Sequence, residues 1–298
     1  MGIPAVSIVI PVYNGEQTIS RALESVFAQV YSNFEVIVVD DASTDQTASL
    51  VGSYHDQRLK LIRSSENRGA GAARNKGIAA AQGKWVAFLD ADDAWKPTKL
   101  ERQLAWIGRT EGSVAACATG YDLEKGGRKQ SIIPNLTSDQ FRKDILFGCS
   151  ISPGSTLLVD RIVFDEIGGF DETFRRLEDW DWLLRFSESH DMNFMRESLS
   201  EIYITSKEPP LGLFGSDPVQ DGIRRMDEKH SARLRSSRDR RAFKSSLLIE
   251  RAAFLHRNER QVSALLYVIA GLAVFPIRNR AFFRTLWRAT SERFTLPR

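Results

Sequence analysis

The chain is poor in the residues that staple small domains or cage metals. Its 298 residues hold two cysteines, Cys117 and Cys149, and four histidines, His55, His190, His230 and His256. Two cysteines so far apart make no disulfide framework, and without a CxxC pair or a Cys/His cluster there is no zinc site to expect. A reducing, cytoplasmic setting is expected. The histidines have neither ligand spacing nor a suggested Ser or Cys partner, and read as surface or packing residues. Neither GxGxxG nor GxxxxGK[ST] occurs, so the usual handles for hydride transfer and P-loop hydrolysis are missing. Met1 to Ala5 lead straight into a strand-like run, without the pattern of a signal peptide, so export is not expected. The apolar stretch Val262 to Phe275 would reach about 20 Å as a helix against roughly 30 Å of hydrocarbon, too short to span. RNA-reading motifs and interleaved basic-aromatic strands are absent too, and a nucleic-acid partner is not expected.

What is present describes a soluble chain able to bury a core: 42% of residues are hydrophobic, 27% charged and 10% aromatic. The formal charge of +3 conceals an asymmetry. From Glu228 to Arg298 there are 16 Lys/Arg against 5 Asp/Glu, or +11, leaving 25 against 33, or −8, before it. A basic tail suits an anionic lipid surface, nucleic acid or an acidic partner, although solvated helices are often basic without such a role. Val262 to Phe275 is open between a buried core helix and one lying in a membrane interface. In the second case Arg278, Arg280, Arg284 and Arg288 would meet lipid phosphates while Phe282, Phe283, Leu286 and Trp287 dip in.

The first hundred residues alternate β-rich apolar runs with amphipathic stretches, the pattern of a parallel sheet flanked by helices. Strands are predicted at Ser7 to Val12, Phe34 to Asp40, Leu59 to Arg63 and Trp85 to Leu89. Helices are predicted near Thr18 to Gln29, Thr44 to Tyr54 and Gly71 to Gln82, with Ser43 and Gln46 at capping-box spacing. Beyond them come a helix from Pro97 to Gly108, strands at Val114 to Tyr121 and Ser155 to Val159, and helical spacing from Glu178 to Glu188. After Pro209-Pro210 the pattern is nearly all helix. The expected organisation is one α/β domain at 1–208, with a first half at 1–95 and a second at 96–208, followed by a basic helical extension at 209–298.

Ligands of open α/β sheets bind beyond the carboxyl ends of the strands. Two of those ends are acidic here: Asp40-Asp41 with Asp45 following, and Asp90-Ala91-Asp92-Asp93. Converging carboxylates repel unless a cation or a hydrogen-bond donor lies between them. The D-x-D spacing suits a hard divalent ion completed by a diphosphate. A phosphatase of the haloacid dehalogenase type also carries D-x-D after a strand, but after the first strand and not the fourth.

Seven motifs stand in order from Val6 to about Phe186: Ile10-Pro11-Val12-Tyr13-Asn14, Val39 to Asp45, Glu66-Asn67-Arg68-Gly69, Ala73-Arg74-Asn75, Phe88 to Asp93, Gly168 to Glu172 and Glu178-Asp179. In this order they resemble the inverting glycosyltransferases of family 2. The resemblance implies an α/β GT-A fold with a mainly parallel central sheet, in which 1–208 would be the catalytic domain, 1–95 its nucleotide-sugar-binding half and 96–208 its acceptor-side half. It also implies transfer from a nucleotide-diphosphate sugar to a saccharide or lipid-linked saccharide during cell-surface polysaccharide synthesis, with Mn²⁺ or Mg²⁺ as cofactor. Pro11 and Tyr13 would border the base, Asp41 would accept its N–H, and Asp90 would hold the ribose or diphosphate. Arg68 and Arg74 would contact the nucleotide, Asp92 would ligate the metal, and Asp179 would be the general base. Trp180 and Trp182 are candidates for stacking on an acceptor sugar or for burial, with burial favoured for Trp182. A peripheral position on an anionic membrane is the matching expectation for the tail, and a noncatalytic nucleotide-sugar-binding or membrane-surface module is the alternative reading of the whole.

Overall fold

The computed structural model describes residues 2–149, 151–204, 217–258 and 260–275. In chain order the elements are β1 (Val6–Val12), α1 (Ile19–Phe27), β2 (Phe34–Asp40), α2 (Thr47–Gly52), β3 (Leu59–Arg63), α3 (Ala70–Ala80), β4 (Trp85–Phe88), β5 (Ala94–Trp95), α4 (Lys99–Ile107), β6 (Ala116–Lys125), β7 (Arg128–Ile132), α5 (Ser138–Asp144), α6 (Pro153–Thr156), β8 (Leu157–Asp160), α7 (Ile162–Ile167), α8 (Glu178–Ser189), β9 (Met192–Tyr203), α9 (Pro218–His230), α10 (Ser237–Arg257) and α11 (Gln261–Val274). They divide into two compact units. The first is Met1–Phe141, Ile151–Glu172 and Arg185–Thr205, and the second is Arg142–Ser150, Thr173–Leu184 and Ser206–Arg298.

The first unit carries a nine-stranded sheet ordered β3-β2-β1-β4-β8-β6-β9-β5, with β7 paired to β6. The half formed by β3, β2, β1 and β4 is parallel, and β8 then runs antiparallel to both β4 and β6. β1 is apolar almost throughout because both of its faces are covered. Its alternate residues Val6, Ile8, Ile10 and Val12 pack with Ile19, Ala22, Leu23 and Val26 of α1. Each fully buried aliphatic chain contributes about 1.5–3 kcal/mol. Pro11 is tolerated in this central strand for a geometric reason. The β4 ladder ends at Val9↔Phe88, and Leu89 N–H donates to Val9 O while Asp41 N–H donates to Val12 O. By that parity Pro11 turns its missing N–H toward the side where β4 has already stopped.

Two local expectations are corrected. Residues Ser155 and Thr156, read as strand, close the short helix α6, and the strand starts at Leu157. Pro153 presets the helical turn and the Thr156 hydroxyl donates back to Ser152 O at 2.7 Å. The Ser43/Gln46 capping box does not form, because α2 opens later, at Thr47, and Gln46 makes no cap bond. Asp45 takes that role by accepting the Thr47 N–H at 3.0 Å.

The described residues of the second unit are mostly helical. Asp217 caps α9 by accepting the Gln220 N–H and pairs with Arg251 of α10. α10 and α11 form an antiparallel hairpin: the Arg251 guanidinium lies 6.0 Å from the Tyr267 ring, Ile249 packs on Val268 and Phe275, and Ser245 Oγ donates to Gly271 O at 2.7 Å. α11 is not a core helix, since Val262, Leu265, Leu266 and Ile269 are all more than half exposed. Among the described residues no helix is long and apolar enough to cross a membrane. Arg278, Arg280, Phe282, Phe283, Arg284, Leu286, Trp287 and Arg288, named for the interface reading, lie outside the described residues.

Candidate active site

In the first unit the carboxyl ends of β1, β2 and β4 bring the acidic loops together with the turn before α3. Pro11 is buried and Tyr13, just past β1, is 43% exposed. Asp41 is 2% exposed. Its Oδ2 accepts the backbone N–H groups of Arg68 at 2.9 Å and Gly69 at 2.6 Å, whereas its Oδ1 is buried with no hydrogen-bond partner. Gly69 holds φ +92°, a left-handed conformation that suits glycine and lets the chain aim both N–H groups at one oxygen. Asp40 points elsewhere, accepting the Ser43 N–H at 2.9 Å and facing Arg63. Ala42 between these contacts takes φ +64°, the kind of backbone strain that functional turns retain.

Arg74 is buried and pairs with Asp90 at 2.8 Å, its guanidinium also lying 5.4 Å from the Phe170 ring. Asp90 approaches the chain so closely that a Cβ at Gly154 would sit 2.0 Å from its Oδ2, so any larger residue there would displace the Asp90 carboxylate. Asp92 lies exposed on the loop, but enclosure by surrounding atoms and the charge of Asp90 raise its pKa, against the opposing effect of Arg21. The Arg21 guanidinium donates to the Asp92 carbonyl and stacks 3.8 Å from the Tyr203 ring centroid. Asp93 is buried, and burial with the charges of Asp90 and Asp92 lifts its pKa well above the carboxylate range. It accepts from the Ser155 hydroxyl and from the Tyr203 N–H at 3.1 Å. Asp93 is therefore the anchor of the loop and Asp92 its outward carboxylate.

The Arg68 side chain is half exposed and engages Glu172 at 2.8 Å. Asn75 clamps the same turn, accepting the Phe170 N–H at 2.8 Å and donating to Phe170 O at 2.8 Å and Glu172 at 3.0 Å. Arg185 donates to Ile167 O and Gly169 O from α8. The motifs around Arg74 and Phe170, far apart in sequence, are one packed assembly.

Asp179 belongs to the second unit, in the first turn of α8, and accepts the N–H of Trp180 at 2.7 Å. Its neighbour Asp181 is fully buried and held by Lys229 and His230 of α9, each at 2.8 Å. Trp180 and Trp182 are both buried, and Trp180 Nε1 donates to Ile145 O at 2.6 Å. Sequence reasoning left no role for Arg21, Ser155, Tyr203, Asn75 or Glu172. Asn75 and Glu172 stood inside the quoted motifs, but nothing in the pattern singled out the other three.

Among the described residues no three His, Cys, Asp or Glu side chains converge as a metal cage. That is compatible with a Mg²⁺ or Mn²⁺ ion held through one carboxylate and a substrate diphosphate, the way such ions commonly bind. Asp92 fits such a role, because a cation would relieve the repulsion that raises its pKa.

The chain is 45% identical over 102 residues, 34% of this chain and 40% of the relative, to the UDP-Glc:alpha-D-GlcNAc-diphosphoundecaprenol beta-1,3-glucosyltransferase WfgD of Escherichia coli. It spans 63% of the length of three other curated relatives that it matches. Its fold is similar to that of S. aureus TarS in complex with UDP-GlcNAc, with TM-score 0.67 and 20% identity over 91% of this chain and 81% of that one. The mannosyltransferase PcManGT from Pyrobaculum calidifontis, in complex with GDP-Man and Mn²⁺, gives TM-score 0.54 and 22% identity over 95% and 79%. These likenesses establish the GT-A fold. Residues 7–168, more than half of the chain, match Glycosyl transferase family 2, and the protein belongs to that family.

Proposed function

We infer that the protein is an inverting glycosyltransferase. It moves a sugar from a nucleotide-diphosphate donor to a hydroxyl of a saccharide or lipid-linked saccharide acceptor, in the synthesis of a cell-surface polysaccharide. The observation that carries this reading is Asp41: a buried carboxylate with one oxygen saturated by two backbone N–H groups and the other left without a partner. A buried acceptor without a partner costs free energy on the order of 1–3 kcal/mol, which a ligand N–H recovers. Uracil, thymine and guanine all offer one.

In this reading Pro11 and Tyr13 border the base, and Asp90, steadied by Arg74, receives the ribose or diphosphate. The main chain of Arg68 fixes Asp41, and its guanidinium reaches donor phosphate only in competition with Glu172. Asp179 takes the proton of the acceptor hydroxyl as that oxygen bonds to the anomeric carbon opposite the leaving group. The bond from the anomeric carbon to the diphosphate breaks on the other face, and its electron pair leaves with the nucleoside diphosphate. Mn²⁺ or Mg²⁺ at Asp92 would supply charge stabilisation for that leaving group. Support comes from the family, from the named glucosyltransferase relative with its lipid-diphosphate acceptor, and from a structural neighbour with Mn²⁺. A lipid-linked acceptor makes an anionic membrane surface the natural partner of the basic tail, with the protein peripheral on its cytoplasmic side.

Thermal denaturation with UDP, GDP and TDP, each with and without Mn²⁺, tests the donor site, because a ligand that binds only the native state raises its apparent stability. One diphosphate should raise Tm in a Mn²⁺-dependent way. Asp41→Asn should abolish the shift, since the amide Nδ2 brings a donor where the base presents one. No shift with any of the three would contradict the reading.

A further inference from the structure

The second unit has a surface that the transfer chemistry does not use. α11 contains no charged residue from Gln261 to Val274, and its packing on α10 buries only Ala264 and Gly271. Away from α10 it turns Val262 (77% exposed), Leu265 (58%), Leu266 (62%), Ile269 (55%) and Leu272 (39%) to solvent. These positions recur at helical spacing and form one stripe. A contiguous apolar stripe left open to water marks an interaction site.

A second feature of the same unit says what covers it. Between Arg233 and Lys244 there are six basic residues, Arg233, Arg235, Arg238, Arg240, Arg241 and Lys244, against the single acidic Asp239, and all six are exposed. The hairpin is antiparallel and Ser245 meets Gly271, so Arg241 and Arg238 lie toward the C-terminal end of α11. Basic side chains beside an apolar helix face match anionic headgroups beside acyl chains. At 14 residues, α11 is about 21 Å long, enough to lie in a bilayer interface and too short to cross it.

We propose that the exposed face of α11, flanked by the basic run Arg233 to Lys244, is the surface by which the protein lies on an anionic lipid membrane. The proposal deepens the membrane partner named above and does not depend on the transfer step. The test is co-sedimentation of the full chain with vesicles of phosphatidylcholine containing one third phosphatidylglycerol, and with vesicles of phosphatidylcholine alone. Wild type should bind the anionic vesicles and bind the neutral ones at least tenfold more weakly. Leu265→Gln/Ile269→Gln should lower anionic-vesicle binding at least tenfold. Arg238→Gln/Arg241→Gln/Lys244→Gln should lower it on the order of a hundredfold and flatten its dependence on salt. All changed side chains except Arg238, Arg241 and Lys244 are exposed apolar groups, so unchanged far-ultraviolet circular dichroism should accompany the loss. Wild type that ignores both vesicles overturns the membrane partner itself. Wild type that binds while the Leu265/Ile269 variant binds equally well overturns the assignment to α11. A wild-type dimer in light scattering that this variant makes monomeric assigns the stripe to a second copy and overturns the proposal as well. Equal retention of wild type and the Leu265/Ile269 variant on a polyanion such as heparin, without vesicle binding, does the same.

Discussion

Asp41 and Asp181 are both carboxylates almost wholly withdrawn from water, one in each unit, and they are treated in opposite ways. Asp181 is met by a lysine and a histidine, whereas Asp41 keeps one oxygen without any partner. Burial alone therefore does not mark a functional acid. A saturated carboxylate holds elements together, here α8 to α9. An unsaturated one, paid for by surrounding structure, awaits a donor from outside.

The comparison can be broken most sharply at the turn that carries Asp181. Asp179→Asn should lower turnover by two to four orders of magnitude, on the order of what general-base catalysis contributes, and leave nucleotide affinity unchanged. Steady-state rates beside calorimetric nucleotide binding would check it. Asp181→Ala should act on stability instead, lowering it by about 3 kcal/mol in denaturant unfolding because Lys229 and His230 lose their shared partner. For the same reason, cutting the chain near Pro218 would remove Lys229 and His230 from Asp181 and lower stability by a similar amount.

Smaller effects sharpen the contrast within the first unit. Lys99 is fully buried, its ammonium donating to Gln103 Oε1 at 2.6 Å and lying 4.1 Å from the centroid of the Trp95 ring, and burial pulls its pKa down to about 7. The folded pKa lies below the unfolded one, so the unfolded chain binds more protons between about pH 7 and 10.5. The resulting penalty is largest below about pH 7 and fades as pH rises, with a slope of at most about 1.4 kcal/mol per pH unit. Lys99→Met should flatten that slope and stabilise the fold at neutral pH, measured by denaturant midpoints across pH 7–10. Least of all, Arg68→Gln should cost under about 1 kcal/mol of stability, because its pair with Glu172 is half exposed.

The parallel half of the sheet was legible because β1, β2 and β4 are continuous apolar runs whose ends carry the acidic loops. Asp40-Asp41 and Asp90 to Asp93 stood out for that reason. Composition and periodicity could not separate which carboxylate of each loop faces inward; only the family resemblance chose among them. Asp93 is fixed by Ser155 and by Tyr203, 62 and 110 residues away, and no periodicity encodes such a contact. Asp181 carried no signal of its own in the sequence, since its partners come from α9. His230 read as packing, and it is buried, but its contact with Asp181 depends on tertiary structure. Ser155 was hidden by the β-like composition of the residues after it, and Arg21 by its place on a helix whose apolar face explained the pattern.

The most direct test of the central claim compares Asp41→Asn and Asp179→Asn in one experiment. Nucleoside-diphosphate release and nucleotide binding would be measured across UDP-, GDP- and TDP-sugars with Mn²⁺ and lipid-diphosphate-linked saccharide acceptors. The account predicts that Asp41→Asn loses binding of the nucleotide, while Asp179→Asn binds it like wild type and releases almost none. Wild-type release by Asp179→Asn, or wild-type binding by Asp41→Asn, would contradict it.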